Sequence, residues 1–413
     1  MKSLLTMLFA ITAVTVLAWP SLAADTMDLH EAHGFWAEGP NIPKLSPDEF
    51  VLMPWGWTPG NKKALQDIKE CGFNVAGFVA PKHVKLCKSV GISCMVDDPR
   101  ISQNIPRTDI SDAEMLKLVT DAVRPFKGNS AVYGYHLIDE PSNGLFPALR
   151  RWKDTIAKVD PKTVSYINLL PVGANLDGIA MYEEFANVVK PTFLSYDHYT
   201  LHDDGNMGDS FYTNLETMRK VAMKHNLPFW NIVLSNSHFR YADVTVGGMS
   251  VQVYSSLAYG VRGLSYFTYF APLLDNYRNA PVDQFLNKTP SWDIIRSLNL
   301  QIHQLAPTYL KLKSVNVFHN DKVPTGCKGL DSSKYLADVS GGDFLVGEFV
   351  GPKGEPFVMM VNKSITKSTN GHFVFKDKGT VMQTNAFTGV TKPFGGEWCW
   401  FGPGQGVLFS LAK

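Results

Sequence analysis

From residue 50 onward the chain alternates between short apolar runs and longer stretches with helical spacing of their apolar positions. Residues 50–57 read as a first strand, and the stretch through Leu65, Gln66, Asp67 and Ile68 as the helix that follows it. The same reading gives strands at 74–80, 92–96, 131–138, 164–169, 192–196, 228–234 and 263–268. Helices are expected at 81–89, 111–125, 146–159, 182–189, 212–225, 250–258 and 292–305. Eight strand–helix units within about 260 residues predict a parallel sheet closed into a (β/α)8 TIM barrel. A doubly wound open sheet is the alternative, but no Gly-rich phosphate turn follows an early strand.

Beyond about residue 307 the pattern changes. Apolar runs at 344–350, 357–361, 372–375 and 406–411 are separated by Gly, Pro, Asn and Ser, the signature of a small C-terminal antiparallel β-sandwich. Ahead of the barrel, Lys2, an apolar run over 4–17 and Ser21-Leu22-Ala23-Ala24 form a secretory signal peptide. The expected organisation is therefore a signal peptide over 1–23, an N-terminal extension over 24–48, a catalytic barrel over 49–306 and a sandwich over 307–413. The mature chain is expected to be secreted, periplasmic or extracellular. No insertion into the membrane is expected after signal cleavage, because no second run approaches about 20 apolar residues.

A net charge of +1 over 413 residues gives no electrostatic reason to expect nucleic acid or an anionic membrane as partner. Aromatic residues make up 12% of the chain, and Trp and Tyr near strand ends suit stacking on sugar rings, although a large aromatic is more often core. Of the five cysteines, one bridge within Cys71, Cys87 and Cys94 and one between Cys327 and Cys399 would leave a single free thiol; connectivity is not readable from sequence. No cysteine spacing joins nearby histidines in a metal-like pattern, so no metal and no organic cofactor are expected.

A (β/α)8 barrel keeps its chemistry at the carboxyl ends of its strands. There the sequence offers Trp55 and Trp57 after strand 1, Asp97 and Asp98 after strand 3, Asp139 and Glu140 after strand 4, and Asn168 after strand 5. Asp197, His198 and Tyr199 follow strand 6, Ser235, Asn236 and His238 strand 7, and Tyr266, Thr268 and Tyr269 strand 8. Carboxylates for proton transfer, amides and imidazoles for hydroxyls, and rings for stacking are the inventory of a carbohydrate site. Trp55 and Trp57 alternate along the strand, so at most one faces the cleft.

Gly134-Tyr135-His136-Leu137-Ile138-Asp139-Glu140-Pro141 resembles the strand-4 motif of the superfamily of (β/α)8 glycoside hydrolases that includes β-galactosidases, endoglucanases and β-mannanases. Residues 193–199, 228–230 and 257–269 resemble strands 6 to 8 of exported relatives of the family-42-like β-galactosidases. The resemblance covers roughly residues 50–310. It implies that Glu140 is the general acid/base, with Asp139 standing where the superfamily usually has Asn, and that a second glutamate should follow strand 7. Residues 228–238 contain no acidic residue, and no glutamate occurs between Glu216 and Glu348.

Three readings accommodate that departure. Asp197 supplies the second carboxylate; or a loop acid such as Asp98, Asp243 or Asp275 swings in; or the barrel binds glycan without cleaving it. In the first, a carboxyl separation of about 5–5.5 Å suits retention and about 6.5–9.5 Å inversion. The expectation is a glycoside hydrolase acting on a β-linked, glucan- or galactan-type glycan. Glu140 and Asp197 are its catalytic pair, and Trp55, Trp57, Asp98, Asp139, His198, Tyr199, Asn236, His238, Tyr266 and Tyr269 line the substrate site. The competing expectations are a non-catalytic carbohydrate-binding barrel and a polysaccharide lyase, the latter needing a Tyr or His base and a cation such as Arg100 or Arg240 to neutralise a uronate.

Overall fold

The computed structural model describes residues 49–413 apart from 108, 173–177 and 206; the expected signal peptide and N-terminal extension lie outside the described residues. Strands β1 (Val51–Pro54), β2 (Val75–Val79), β3 (Ser93–Val96), β4 (Val132–Asp139), β5 (Val164–Asn168), β6 (Leu194–Asp197), β7 (Phe229–Leu234) and β8 (Gly263–Phe267) alternate with helices. These are α1 (Lys62–Glu70), α2 (Val84–Val90), α3 (Asp112–Val123), α4 (Phe146–Val159), α5 (Gly178–Val189), α6 (Ser210–His225), α7 (Val246–Ala258) and α8 (Pro290–Tyr309). Parallel pairing runs β2-β3-β4-β5 and β1-β8-β7-β6. Parallel bridges from Trp57 to Phe78 and from Leu169 to Tyr196 join the two halves, closing the eight strands into a (β/α)8 barrel.

Alternation along each strand sends one set of side chains inward, where Val51, Met53, Trp55, Val75, Met95, Tyr166, Phe193, Trp230 and Ile232 fill the barrel. Trp230 stacks on Phe193 with centroids 4.1 Å apart, and Tyr166 meets both Trp55 and Trp230 edge-on. The interior is therefore a packed aromatic plug, and any chemistry has to sit above it at the strand ends. Outward-facing strand residues such as Leu52, Leu264 and Val233 join the helices in a second, larger apolar layer. No helix among the described residues is long and apolar enough to cross a membrane.

The C-terminal part is an antiparallel sandwich. Strands β9 (Lys313–His319), β10 (Leu336–Ser340), β11 (Phe344–Val350), β12 (Pro356–Asn362), β13 (Thr369–Phe375), β14 (Thr380–Thr384), β15 (Thr391–Pro393), β16 (Trp398–Phe401) and β17 (Gly406–Ala412) form two sheets. One is six-stranded, ordered β15-β14-β17-β12-β11-β9, and the other three-stranded, ordered β10-β13-β16. Phe318, Phe344, Val346, Met360, Phe373, Phe401 and Phe409 fill the space between them. The other face of the six-stranded sheet covers the barrel: Leu345, Phe349, Met359 and Leu408 share one apolar cluster with Tyr254 and Leu257 of α7.

Several helices are longer than the sequence pattern: α5 begins at Gly178 rather than 182, and α6 and α8 each begin two residues early; two further extensions have a visible cause. Helix α7 starts at Val246 rather than at 250, because Thr245 caps it by accepting from the Gly248 amide. The Gly247-Gly248 pair is a close approach, not a breaker: a Cβ on Gly247 would stand 2.1 Å from the Ile365 carbonyl oxygen. Helix α8 runs through Pro307 to Tyr309; a proline in a last turn removes one ladder bond, and the Tyr309 hydroxyl anchors that end by donating to the carbonyls of Leu257 and Val261.

All five thiols are free, but the two halves of the cysteine expectation fare differently: Cys87 and Cys94 are close enough to share a side-chain hydrogen bond, as a pair within the first cluster would be. Cys327 lies against the Tyr259 hydroxyl at 3.5 Å, whereas Cys399 is buried inside the sandwich. Placed in separate apolar layers, the two cannot meet without rearrangement.

Candidate active site

Strand β4 delivers two acids to the barrel mouth. Asn168, in register with Asp139 at the end of β5, links them to β6: its Nδ2 donates to Asp139 Oδ1 at 3.0 Å and to Asp197 Oδ1 at 2.8 Å. The amide cannot turn over, because the Ser195 hydroxyl donates to Asn168 Oδ1 at 3.0 Å and is itself in contact with the Tyr166 hydroxyl. Two acceptors on N–H bonds diverging by about 120° stand roughly 5 Å apart at such distances. Glu140 follows directly. Its amide donates to the Asn168 carbonyl at 2.9 Å, and its backbone is left-handed, with φ 48°. A side chain in that conformation costs about 1–2 kcal/mol, a strain held in place by the β4–β5 pairing.

The three carboxyl groups perturb one another. Asp197 is only 8% exposed, and burial, with the charges of Glu140 and Asp139 added, pushes its pKa up to about 7 despite the Asn168 hydrogen bond. Glu140 is raised by burial and then by Asp139, even though it reaches solvent. Asp139 is raised by burial, with Asn168 opposing. A cluster of this kind holds on to a proton near neutral pH and gives up the others earlier. At the end of β3, Asp97 stands 3.6 Å from His136 Nδ1, and the imidazole holds that carboxyl below its usual range. His136 itself stacks on Phe78 at 3.9 Å.

Strand β7 ends in a hydrogen-bonded relay where the resemblance led us to expect a glutamate. The Thr268 hydroxyl donates to the Phe270 carbonyl at 2.7 Å, so it accepts from Asn236 Nδ2 at 2.8 Å. That fixes the amide and leaves Asn236 Oδ1 to accept from His238 Nδ1 at 2.9 Å. His238 is thereby assigned as the Nδ1–H tautomer, with the Nε2 lone pair free to accept. Burial and the charge of Arg278 lower its pKa, and its ring lies parallel to Tyr277 at 4.5 Å. Tyr199 stacks on Phe267 and meets His238 and Tyr241 edge-on. Burial, followed by Asp197, Asp139 and Glu140, raises the Tyr199 pKa, keeping its phenol a donor beside the acids. The mouth thus has an acidic wall from β3 to β6 and an aromatic wall from β6 to β8, with Trp57, 67% exposed, after β1.

Several of the expected substrate contacts are placed elsewhere. Tyr266 is fully buried behind the barrel wall, its hydroxyl donating to Asn299 Oδ1, and Tyr269 is equally buried, accepting from Trp292 Nε1. Trp55 belongs to the barrel plug. Strand alternation is the reason: these rings lie on faces turned to the helices or the interior. Asp98 is buried and engaged in capping and in a bidentate pair with Arg100, whose Nε and Nη2 donate to it at 2.9 and 2.6 Å. His198 braces the start of α6 through Ser210 at 3.0 Å, and burial lowers its pKa to about 4. Of the loop acids, Asp243 pairs with Arg278 and Asp275 is exposed in the β8–α8 loop.

Sequence reasoning named Asp97 and Asn168 at strand ends but gave them no role, and it did not select His136, Tyr241 or Tyr277. Asn168 was marked by its place as the polar stop of an apolar strand; Tyr241 and Tyr277 sit in loops without periodicity, which carry no such signal. Among the described residues no three His, Cys, Asp or Glu side chains are arranged to hold a metal ion. A cavity of about 420 Å³ opens at the opposite end of the barrel, lined by Arg219, Arg262, Lys313 and Ser314, far from the carboxylates.

No protein-family model matches the chain, and no curated protein sequence does. Solved structures do. A glycoside hydrolase matches with a TM-score of 0.59 and 12% identity, over 91% of this chain and 97% of its own. The β-galactosidase of Bacillus circulans sp. alkalophilus matches with a TM-score of 0.60 and 8% identity, over 88% and 99%. The β-galactosidase of the psychrophilic Marinomonas ef1 matches with a TM-score of 0.50 and 9% identity over 65% of this chain, which spans only 63% of that enzyme. At such identities the likeness is one of architecture: the chain has the fold of TIM-barrel glycoside hydrolases, barrel and C-terminal sandwich together.

Proposed function

We propose that the protein is an exported glycoside hydrolase acting on a β-linked glycan of glucan or galactan type, with Glu140 and Asp197 as its catalytic carboxyl pair. The observation that carries this reading is the convergence of three carboxyl groups at the ends of β4 and β6: the Asn168 amide ties Asp139 to Asp197, and Glu140, bonded through its backbone to the Asn168 carbonyl, is near enough for its charge to act on Asp197. Glycosidic hydrolysis needs one carboxyl protonated and one ionised at the same pH. The environment divides the labour: Asp197, pushed up to about 7, retains its proton, and Glu140, the more open group, is the ionised partner. This reverses the roles implied by the strand-4 motif. Asp197 protonates the leaving oxygen as the C1–O bond breaks. Glu140 takes a proton from the attacking water or bonds to C1 itself, and the net change is addition of water.

Asp139 and the neutral His238 are suited to accept hydrogen bonds from sugar hydroxyls, and Tyr199 to donate one. The lyase alternative loses Arg100, which is committed to the buried Asp98 at 2.6 Å, and keeps only Arg240, an exposed side chain 3.8 Å from Asp203. The test is reducing-sugar release by the wild-type protein from β-glucans, galactans, mannans and xylans. Release is expected on at least one of them. Binding without release would favour a non-catalytic barrel, and products absorbing in the near ultraviolet a lyase.

A further inference from the structure

Trp398 and Trp400 alternate along β16 with Cys399 and Phe401. The latter two are buried in the sandwich, whereas the indoles are 49% and 70% exposed. The register of the three-stranded sheet places them among specific neighbours. Ser340 of β10 lies opposite His372 of β13, which lies opposite Trp398; in the next row Asn370 lies opposite Trp400. With Asp338 paired to Val374, the outward face of this sheet carries two indoles beside a hydroxyl, an imidazole, an amide and one carboxylate. The inward face carries Leu336, Val339, Phe373, Phe375, Cys399 and Phe401, all buried.

The polar groups on the outer face are organised. His372 Nδ1 and the Ser340 hydroxyl both approach Asp338 Oδ2, at 3.3 and 3.0 Å. The Trp398 ring is held as well. It lies 5.1 Å from the His372 ring, and it rests over Gly341, where a Cβ would stand 3.1 Å from Trp398 Cζ3 and 2.2 Å from the Asn370 carbonyl oxygen. Gly341 has φ 88°, so both its backbone conformation and the ring above it require glycine there.

Two indoles set two residues apart on an edge strand are roughly 7 Å apart. Left uncovered, such an edge invites pairing with other chains. Indoles flanked by short acceptors and donors, with no Lys or Arg on this face of the three strands, suit one class of ligand: pyranose rings, whose apolar faces stack and whose hydroxyls bond at the rim. We infer that the outer face of the β10-β13-β16 sheet, centred on Trp398 and Trp400, is a glycan-binding surface separate from the barrel mouth. It would hold a polysaccharide chain while the barrel acts on it. The choice of ligand rests on the glycosidase reading, but the surface is testable without it.

The experiment is affinity electrophoresis of the full chain in gels containing soluble mixed-linkage β-glucan or pectic galactan, with sedimentation on crystalline cellulose beside it. The Trp398→Ala/Trp400→Ala pair and the milder Trp400→Ser are compared with the wild type, and thermal melting shows that each variant is folded. The expected result is retardation of the wild type by at least one polymer, with apparent affinity falling about tenfold or more in the double variant and less in Trp400→Ser. Turnover on a soluble aryl glycoside should be unchanged. Polymer binding that persists in both Trp variants and disappears in Asp197→Asn would overturn the proposal, as would a wild type that binds none of the three polymers. Concentration-dependent dimers abolished by the Trp variants would assign the face to a second copy and equally overturn it. Tryptophan-dependent binding by a protein without hydrolytic activity would leave this surface standing and remove the catalytic reading alone.

Discussion

Asp197→Asn is expected to make the protein more stable at alkaline pH while removing its activity. In the folded state the Asp197 pKa is about 7, against an ordinary 3.8. Between these two values the folded protein holds a proton that the unfolded chain has released, so stability falls as pH rises across that interval and levels off above it. At about 1.4 kcal/mol per pH unit, the full interval is worth about 4 kcal/mol. The group is almost entirely buried, so solvent screening removes little of this. Asparagine keeps an oxygen for the Asn168 amide and carries no charge, so the variant escapes the penalty. For a chain of 413 residues at about 2.1 cal/mol/K of unfolding entropy per residue, that is a Tm gain of about 5 °C at pH 8, shrinking to nothing near pH 4. Differential scanning fluorimetry of wild type and variant from pH 4 to 9 reads the effect. Equal melting temperatures across the range, or a variant less stable at pH 8, would show that Asp197 is not the buried proton holder.

Other consequences concern the groups around it. Asn168→Ala removes the donor that lowers the Asp197 pKa; the alkaline limb of the kcat–pH profile should move upward and kcat fall at least about tenfold, and an unmoved limb would detach Asn168 from the acid. Thr268→Val frees the Asn236 amide, and with it the His238 tautomer, and is expected to raise KM several-fold with the smaller change in kcat; an unchanged KM argues against His238 as a hydroxyl acceptor. Glu348→Gln tests the sandwich. This buried carboxylate accepts from the Ser333 hydroxyl and from the Lys334 and Tyr335 amides, so an amide there sets donor against donor and should cost about 1–3 kcal/mol, seen as a lower melting temperature with activity per folded molecule retained.

The barrel was legible because its strands are short apolar runs that stop at polar residues, and its helices keep their apolar stripe. Asp139, Glu140 and Asp197 could be picked out for the same reason, each standing at such a stop. What was hidden depends on which way a side chain turns. Tyr266 and Tyr269 sit at a strand end as plausibly as Tyr199 does, yet only Tyr199 reaches the mouth, and a shift of one residue along a strand decides that. Asp98 and Asp97 are neighbours with opposite fates: one caps a helical turn and binds Arg100, the other faces His136. Glu348, the first glutamate after Glu216, serves the sandwich, so counting acids could not have supplied the missing strand-7 group. In the sandwich, β9, β10, β14, β15 and β16 were not assigned, because they are short or rich in polar residues and their pairing is non-local.

The central claim is that Glu140 and Asp197 act together on a glycosidic bond. Its most direct test is the turnover of wild type, Glu140→Gln and Asp197→Asn, side by side, on whichever β-glycan the wild type hydrolyses. Each variant should fold and bind that glycan with nearly unchanged KM and lose about 10²–10⁴-fold in kcat. Wild-type turnover in either variant would contradict the assignment.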